Sequence, residues 1–161
     1  MDLNNNMDVK IRKIERQDIN QVTMMIKKVH RKSFIGVYSK ELIEIFCHKY
    51  DLDNFVKRMK IIDYFVAEDL VNNKIVGVIG LQNNQLRTFF VDPDYQGKGV
   101  GSLLFQYLES YAKNRKFKEL YLEGSPIGEP FYEHFGFVKI KTLEKQRQGI
   151  KYQDALMIKK L

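Results

Sequence analysis

The sequence predicts a single mixed α/β domain in which a sheet of six or seven strands is flanked by about four helices. One observation is its size, because 161 residues with a hydrophobic fraction of 44% suffice for one core over residues 1–161. A second is the alternation of strand-like and helix-like apolar patterns along the chain. A third is a glycine-rich segment, QGKGVG, where a strand gives way to a helix. The start, MDLNNNM, is polar, so residues 1–7 are expected to be flexible.

The first third of the chain predicts one strand followed by helices. Residues 8–14, DVKIRKI, alternate polar and apolar side chains as a half-buried strand does. Asp18 is suited to cap a helix, because the apolar residues after it recur on one helical face: Ile19, Val22, Ile26 and Val29. Ser39 is suited to cap a second helix. The expected inward face of that helix consists of Leu42, Ile45 and Phe46, and a short third helix is predicted around residues 55–59.

The remaining two thirds predict strands interrupted by two helices. Segments 63–70 and 74–82 flank the turn 71–73 and form a hairpin pattern. A helix is predicted from about Gly99 to Lys116, where apolar residues recur at helical spacing. Pro126 or Pro130 is expected to open a short helix that ends near Gly136. The other predicted strands are residues 85–91, 118–124, 138–145 and 151–161.

Composition narrows the function classes. The net charge of +7 suits an anionic partner, but basic and acidic residues are interspersed and no nucleic-acid motif is present, which makes nucleic acid an unlikely partner. Cys47 is the only cysteine, and His30, His48 and His134 lack metal-ligand spacing, so no metal site is predicted. No apolar run approaches the roughly 20 residues that cross a bilayer. The expectation is a cytoplasmic protein without membrane contact.

The glycines in QGKGVG indicate a phosphate site. They follow a strand and precede a helix, whose first turn offers unpaired backbone N–H groups and the positive end of the helix dipole. Glycine lets the backbone approach a large anion closely. A Walker loop is excluded because Gly97-Lys98 is followed by Gly99, and the alternate glycines also fail the spacing of a dinucleotide fingerprint. A plain glycine turn remains the alternative.

Two segments together resemble the GNAT superfamily of N-acetyltransferases. The family signature for acetyl-CoA is Gln or Arg, two residues, Gly, one residue, and Gly or Ala, which Gln96, Gly99 and Gly101 match in register. The segment PFYEHFGF (130–137) resembles the family's second motif, a helix that carries a tyrosine and ends in Gly-Phe. The predicted strand order agrees along most of the chain, whereas residues before 60 match in outline only.

The resemblance implies acetyl-CoA as cosubstrate and an amine as acceptor. It places the CoA pyrophosphate on the backbone of Gln96, Gly97, Lys98, Gly99, Val100, Gly101 and Ser102. It places the pantetheine arm beside Phe89, Phe90 and Val91, in a gap where strand 85–91 splays from strand 118–124. The asparagine that many members carry before the tyrosine motif is absent here, and Ser125 is the candidate to take part of its role.

The resemblance also implies the catalytic groups. Tyr132 matches the position of the general acid that protonates the leaving thiolate, with a role as core aromatic as its alternative. A backbone N–H near Val91 is placed to stabilise the oxyanion. The position where members often carry a base is Gln85, which cannot accept a proton, so Glu68 and Glu123 become candidates that act through water. Asp69 is a further carboxylate nearby, and an amine that arrives neutral needs no base.

The sequence leaves the acceptor and the assembly open. Phe34 and Tyr38, within HRKSFIGVYSKE (30–41), are candidates to line the acceptor side or to pack between two helices. The leading function is transfer of an acetyl group to a primary amine of a small molecule or a protein, by direct attack in a ternary complex. The alternative is a non-catalytic acyl-CoA sensor on the same fold. A homodimer is compatible with the sequence.

Overall fold

The computed structural model describes residues 7–161, which form seven strands and five α-helices. The strands are β1 Val9–Lys13, β2 Asp63–Asp69, β3 Lys74–Gln82, β4 Gln85–Val91, β5 Glu119–Gly124, β6 Val138–Arg147 and β7 Ile150–Lys160. The helices are α1 Ile19–Ser33, α2 Lys40–His48, α3 Leu52–Arg58, α4 Val100–Asn114 and α5 Glu129–His134. The predicted mixed α/β class is confirmed, with five α-helices where about four were predicted, and the short third helix predicted around residues 55–59 is present as α3.

All seven strands belong to one sheet, in the order β1-β2-β3-β4-β5-β7-β6. Every neighbouring pair is antiparallel except β4 and β5, which are parallel. The order of the elements explains this exception. Helix α4 lies between these two strands in the chain and carries the backbone across the sheet, and a parallel pair needs such a crossover. The parallel contact lies in the middle of the sheet, between two antiparallel halves.

Each face of the sheet has its own apolar core. Helix α4 packs on one face, which it contacts through Val100, Leu104, Phe105, Leu108 and Ala112. Helices α1 and α3 pack on the other face over β2 and β3, with Val22, Ile26 and Phe55 fully buried. The predicted inward face of α1 is therefore observed, whereas the predicted face of α4 is only partly so, because Leu103 and Tyr107 of its apolar stripe are exposed. In residues 7–161, no helix combines the length and apolar character needed to cross a membrane.

Four local predictions have different outcomes. Helix α1 begins after Asp18 as predicted, but the Asp18 carboxylate does not cap it; it accepts from Glu15 N–H at 2.7 Å and from both terminal nitrogens of Arg12. Ser39 does cap α2, since its Oγ accepts from Leu42 N–H at 3.2 Å. Phe46 is half-buried at a cavity wall rather than in the core. The expected flexible segment lies outside the described residues, except for Met7, which packs against the core under α4.

The sheet opens between β4 and β5. These strands pair at only two positions, Gln85 with Tyr121 and Leu86 with Leu122. On its other side, β4 changes register against β3 at the next residue, because Gly80 faces Thr88 whereas Leu81 faces Leu86, which leaves Arg87 without a partner. Such a β-bulge bends its strand and increases the local twist. The predicted splay between these two strands is therefore present, and it begins at the bulge.

A buried carboxylate fixes the end of β4. Asp92 is 2% exposed and forms ion pairs with Lys28 of α1 at 2.8 Å and with Lys74 of β3 at 3.1 Å. It also accepts from Asp94 N–H at 3.0 Å, which shapes the turn after the strand. Burial opposes ionisation of this carboxyl, but the hydrogen bonds from Lys28, Asp94 N–H and Lys74 outweigh it and lower the pKa of Asp92.

Replacement of Asp92 by Asn is expected to lower the free energy of unfolding near pH 7 by about 2–4 kcal/mol, because two lysines lose their buried counter-ion. Since its pKa is lowered in the folded state, the stabilising effect of Asp92 is present above the unfolded value of about 4 and disappears as the pH falls through the folded value. Urea unfolding near neutral pH and near pH 3 measures both effects.

The matched control is Glu44→Gln, which breaks the exposed ion pair between Glu44 and Arg31. An exposed pair contributes about 0–1 kcal/mol, so this variant should unfold almost as the parent does. Equal losses in the two variants near pH 7 would contradict the structural role given to Asp92.

Candidate active site

The glycine loop after β4 leaves its backbone open on one side. Gly97 and Gly99 have φ values of 74° and 86°, in the left-handed region that favours glycine, and no atom lies within 4 Å of a Cβ placed on either residue. The first N–H to bond within α4 is that of Leu103, which donates to Gly99 O at 3.1 Å. The N–H groups of residues 100–102 therefore have no acceptor within the helix, and they point out of its positive end.

Side chains around the loop hold it against the sheet. Gln96 Nε2 donates to Val91 O at 3.1 Å and so ties the loop to the end of β4. The Tyr95 hydroxyl donates to Asp69 Oδ2 at 3.0 Å. Lys98 Nζ lies 5.3 Å from the centre of the Tyr95 ring, a cation–π distance. The signature glutamine thus braces the loop, and the glycines form its open surface.

A cleft of about 440 Å³ runs from the glycine loop along the open end of β4 to α5, and we name it the apolar cleft. Nine of the predicted site residues line it: Phe34, Phe89, Phe90, Val91, Gln96, Gly97, Gly101, Ser125 and Tyr132. The other predicted cofactor contacts, Lys98, Gly99, Val100 and Ser102, lie in the loop and the first turn of α4, outside this lining. Backbone donors at one end and aromatic walls along the length suit a long ligand with an anionic head.

Tyr132 lies in the wall of the apolar cleft, on α5. Its ring packs against Phe131 and Phe137, with ring centres 5.5 Å and 5.9 Å apart. A Cβ at Gly128 would lie 3.1 Å from the Tyr132 ring and one at Gly124 would lie 3.4 Å from it, so these two glycines leave the space that the ring occupies. Burial raises the pKa of Tyr132, which keeps its hydroxyl protonated and able to donate.

A second cavity, of about 200 Å³, lies on the far side of the opening in the sheet, and we name it the polar cavity. Its lining includes Tyr38, Gln85, Glu123, Lys145 and Tyr152. The two cavities share Phe34 and Ser125 in their linings. The Tyr38 hydroxyl donates to Ser125 Oγ at 2.8 Å at this junction. Both predicted acceptor-side residues, Phe34 and Tyr38, therefore lie at the polar cavity, and they also pack against each other.

The predicted base candidates are separated by the structure. Glu68 accepts from Arg12 Nε at 2.8 Å and lines neither cavity. Asp69 is fully buried and accepts from the backbone of the turn after β2 as well as from Tyr95. Glu123 does line the polar cavity, but it is ion-paired with Lys145. Gln85 lies in the same lining, where its side-chain oxygen accepts from Arg87 at 3.1 Å.

Several titratable residues of the polar cavity were not predicted as site residues, and two of them, His30 and Lys49, have a strongly shifted pKa. His30 is buried on α1, its Nδ1 lies 2.8 Å from Ile26 O, and burial lowers its pKa to about 4, so its ring is neutral near pH 7. Lys49 follows α2 and is half-buried, and burial together with nearby arginines lowers its pKa to about 7. The helical spacing of His30 from Ile26 indicated an inward side chain, whereas no sequence signal marked Lys49.

The comparison with known protein families shows which family the chain belongs to. Residues 34–160 match the model of the acetyltransferase (GNAT) domain, so the chain belongs to this family of N-acetyltransferases. The resemblance seen in the glycine segment and in residues 130–137 is thereby confirmed, as is the prediction of an acyltransferase.

Known relatives are distant in sequence but close in fold. The chain is 24% identical over 143 residues to a spermidine N(1)-acetyltransferase from Thermoplasma acidophilum, a match over 81% of this chain and 89% of that protein. A GCN5-related N-acetyltransferase from Rhodopseudomonas palustris superposes with a TM-score of 0.86 at 22% identity, over 94% and 95% of the two chains. The PaiA N-acetyltransferase from Thermoplasma acidophilum, solved in complex with coenzyme A, gives a TM-score of 0.81 at 22% identity, over 96% and 100%.

The environment of Tyr132 predicts that its phenol stays protonated well above its ordinary pKa of about 10. The phenolate absorbance of the parent and of Tyr132→Phe can be measured over a pH series up to about pH 11. While both proteins are folded, the two titration curves should be almost identical. The same comparison in urea supplies the control, because the curves should then differ by one phenol that titrates near the ordinary value. The same difference between the folded proteins would contradict the burial argument.

Proposed function

We propose that the protein transfers an acetyl group from acetyl-CoA to a primary amine, by direct attack while both substrates are bound. The observation that carries this proposal is the meeting of two unlike cavities at the opening between β4 and β5. One is apolar and ends at a row of free backbone donors, and the other is polar and lined by charged side chains. A thioester in the first and an amine in the second would meet near Phe34 and Ser125.

The apolar cleft fits acetyl-CoA at both of its ends. Residues 96–102 would hold the pyrophosphate through main-chain N–H groups, with the charge of Lys98 nearby, because the positions of Gly97 and Gly99 are open to a ligand. Beyond Leu86, β4 has no paired neighbour on the β5 side, so the backbone of residues 89–91 is available to an extended pantetheine arm. The coenzyme A complex of the PaiA relative supports this assignment.

The chain's own groups account for the remaining chemistry. Acetyl-CoA supplies the thioester carbonyl and the thiolate leaving group. As the new N–C bond forms and the C–S bond breaks, the Tyr132 hydroxyl would give its proton to the sulfur, and the proton released by nitrogen would leave to water. A backbone N–H near Val91 faces the carbonyl oxygen as charge develops on it. Because its pKa is raised, the Tyr132 hydroxyl stays protonated at every physiological pH.

The acceptor is expected to enter as a neutral amine. The carboxylates near the site are engaged: Glu123 is ion-paired with Lys145, and Asp69 is bound within the fold. Basic side chains in the polar cavity disfavour the protonated form of a bound amine, which lowers the cost of its deprotonation by solvent. Cys47 is a buried free thiol, which fits a reducing compartment, and we place the reaction in the cytoplasm.

Coenzyme A binding can be tested with a matched pair of glycine variants. Gly99 and Gly149 both have positive φ and open space around them, but Gly99 lies in the glycine loop at the start of α4, whereas Gly149 lies in the turn between β6 and β7. Gly99→Leu and Gly149→Leu should each lose about 1–3 kcal/mol of stability through backbone strain. Coenzyme A should raise the thermal midpoint of the parent and of Gly149→Leu, since a ligand of the native state at about 100 times its Kd adds about 2.7 kcal/mol.

Gly99→Leu should lose this thermal shift, because its side chain enters the backbone cradle. An equal shift in the two variants would remove the glycine loop from the binding site. The absence of any shift for the parent at millimolar coenzyme A would contradict the proposed use of acetyl-CoA.

The role of Tyr132 can be tested in the acetyl-transfer reaction. Tyr132→Phe keeps the ring and its packing, so coenzyme A should bind as before, whereas kcat should fall because the hydroxyl acts only in the transition state. We expect a loss of about 10- to 100-fold, at the lower end for general acids because a CoA thiolate is already a fair leaving group. Steady-state release of free thiol and a binding titration measure the two quantities.

Tyr107→Phe is the control, since Tyr107 lies on α4, is 40% exposed and lines neither cavity. An unchanged kcat in Tyr132→Phe would make Tyr132 a packing residue. Tight coenzyme A binding by the parent without turnover of any amine would favour a non-catalytic sensor of acyl-CoA instead.

A further inference from the structure

The polar cavity contains more basic than acidic side chains. The side chains of its lining that are charged near pH 7 are four basic ones, Lys49, Arg87, Lys145 and Arg147, and two acidic ones, Glu123 and Asp154. These residues come from β4, β5, β6, β7 and the segment after α2, so they are distant in sequence and only the fold brings them together.

Both carboxylates of the cavity already have a counter-ion. Lys145 Nζ forms ion pairs with Glu123 and, at 3.0 Å, with Asp154. The Asp154 side chain is only 15% exposed, so this pair is shielded from solvent. A cationic acceptor would therefore have to displace Lys145 before it could pair with either carboxylate.

The other three cations have no acidic partner. Within residues 7–161, Arg87 donates only to the neutral Gln85 side chain, and neither Arg147 nor Lys49 forms an ion pair. All three are half-buried. The effect of burial and of the neighbouring cations is visible at Lys49, whose pKa falls to about 7. Cations held together away from water are unfavourable, and a bound anion would relieve that cost.

We propose that the acceptor amine also carries an anionic group, a carboxylate or a phosphoryl group, which Arg87 and Arg147 bind in the polar cavity. This inference rests on the function proposed above. The volume of about 200 Å³ suits a ligand of amino-acid size, and Tyr38, Phe46 and Tyr152 pack together as an aromatic wall for its apolar part. Arginine is suited to this role because its planar fork matches both oxyanions.

The anionic groups of coenzyme A do not need this cluster. The backbone donors of the glycine loop border the apolar cleft, and the two cavities share only Phe34 and Ser125. The basic residues of the polar cavity thus lie beyond the junction where the thioester would end. A cavity lined by these basic residues is also unsuited to a polyamine acceptor, since spermidine carries several positive charges and no anionic group.

The test compares matched acceptors by the release of free thiol from acetyl-CoA. L-phenylalanine should have a kcat/KM about 100-fold above that of 2-phenylethylamine, which lacks the carboxylate, and spermidine should be the poorest substrate. β-Alanine and 2-aminoethylphosphonate separate the two oxyanions, because they differ in that group. Arg147→Gln should raise KM for the anionic amines about 10-fold or more, with little change for 2-phenylethylamine and none in coenzyme A binding.

Lys151→Gln is the control for net charge, because Lys151 is exposed on the same hairpin and lines neither cavity. Preferential turnover of 2-phenylethylamine or spermidine would overturn the anionic acceptor while leaving the proposed acetyl transfer intact. An equal loss for all amines in Arg147→Gln, or weakened coenzyme A binding, would also overturn it. A parent that binds coenzyme A but acetylates none of these amines would instead contradict the proposed enzyme function.

Discussion

The candidate site depends on the parting of two parallel strands. β4 and β5 share two paired positions, and the bulge at Arg87 then turns β4 away from its neighbour. Without that turn the sheet would close and its backbone groups would pair internally, as buried backbone groups normally do. Because the strands part, the edge of β4 faces open space, and cavities form on both sides of the opening. The same bulge frees Arg87 to line the polar cavity.

The open end of β4 needs a support that apolar packing alone does not give. A glycine loop has few side chains to bury, so polar contacts hold it: Asp92 ties the strand end to α1 and β3, and Gln96 ties the loop back to Val91. The Asp92 carboxylate is shielded from water, where an ion pair requires good geometry to be stable. The main-chain donors at the start of α4 are therefore held in place before any ligand arrives, which reduces the ordering that binding requires.

The sequence predicts a structural feature well when residues close together in the chain determine that feature. The glycine loop, the α4 stripe and the tyrosine motif are local patterns, and the structure has the loop and both helices where they were expected, although Leu103 and Tyr107 of the stripe are exposed. Asp18 shows that a partner outside the helix can override a capping rule, because Arg12 of β1 binds the carboxylate that would cap α1. The basic lining of the polar cavity could not be predicted from the sequence for a related reason. Lys49, Arg87 and Arg147 carry no motif, and only the sheet order and the bulge bring them together.

The residues that form the two cavities differ in how freely they can be replaced. Coenzyme A would be held largely by backbone N–H groups, which depend on glycines and on a helix start, so this half of the site follows from the fold itself. The acceptor would meet side chains on β4, β6 and β7, and these can be replaced without disturbing the sheet. Relatives at 22–24% identity can therefore share the fold and yet differ in the amine that they accept. The acceptor class is accordingly best inferred from the charges of the polar cavity rather than from the names of the relatives.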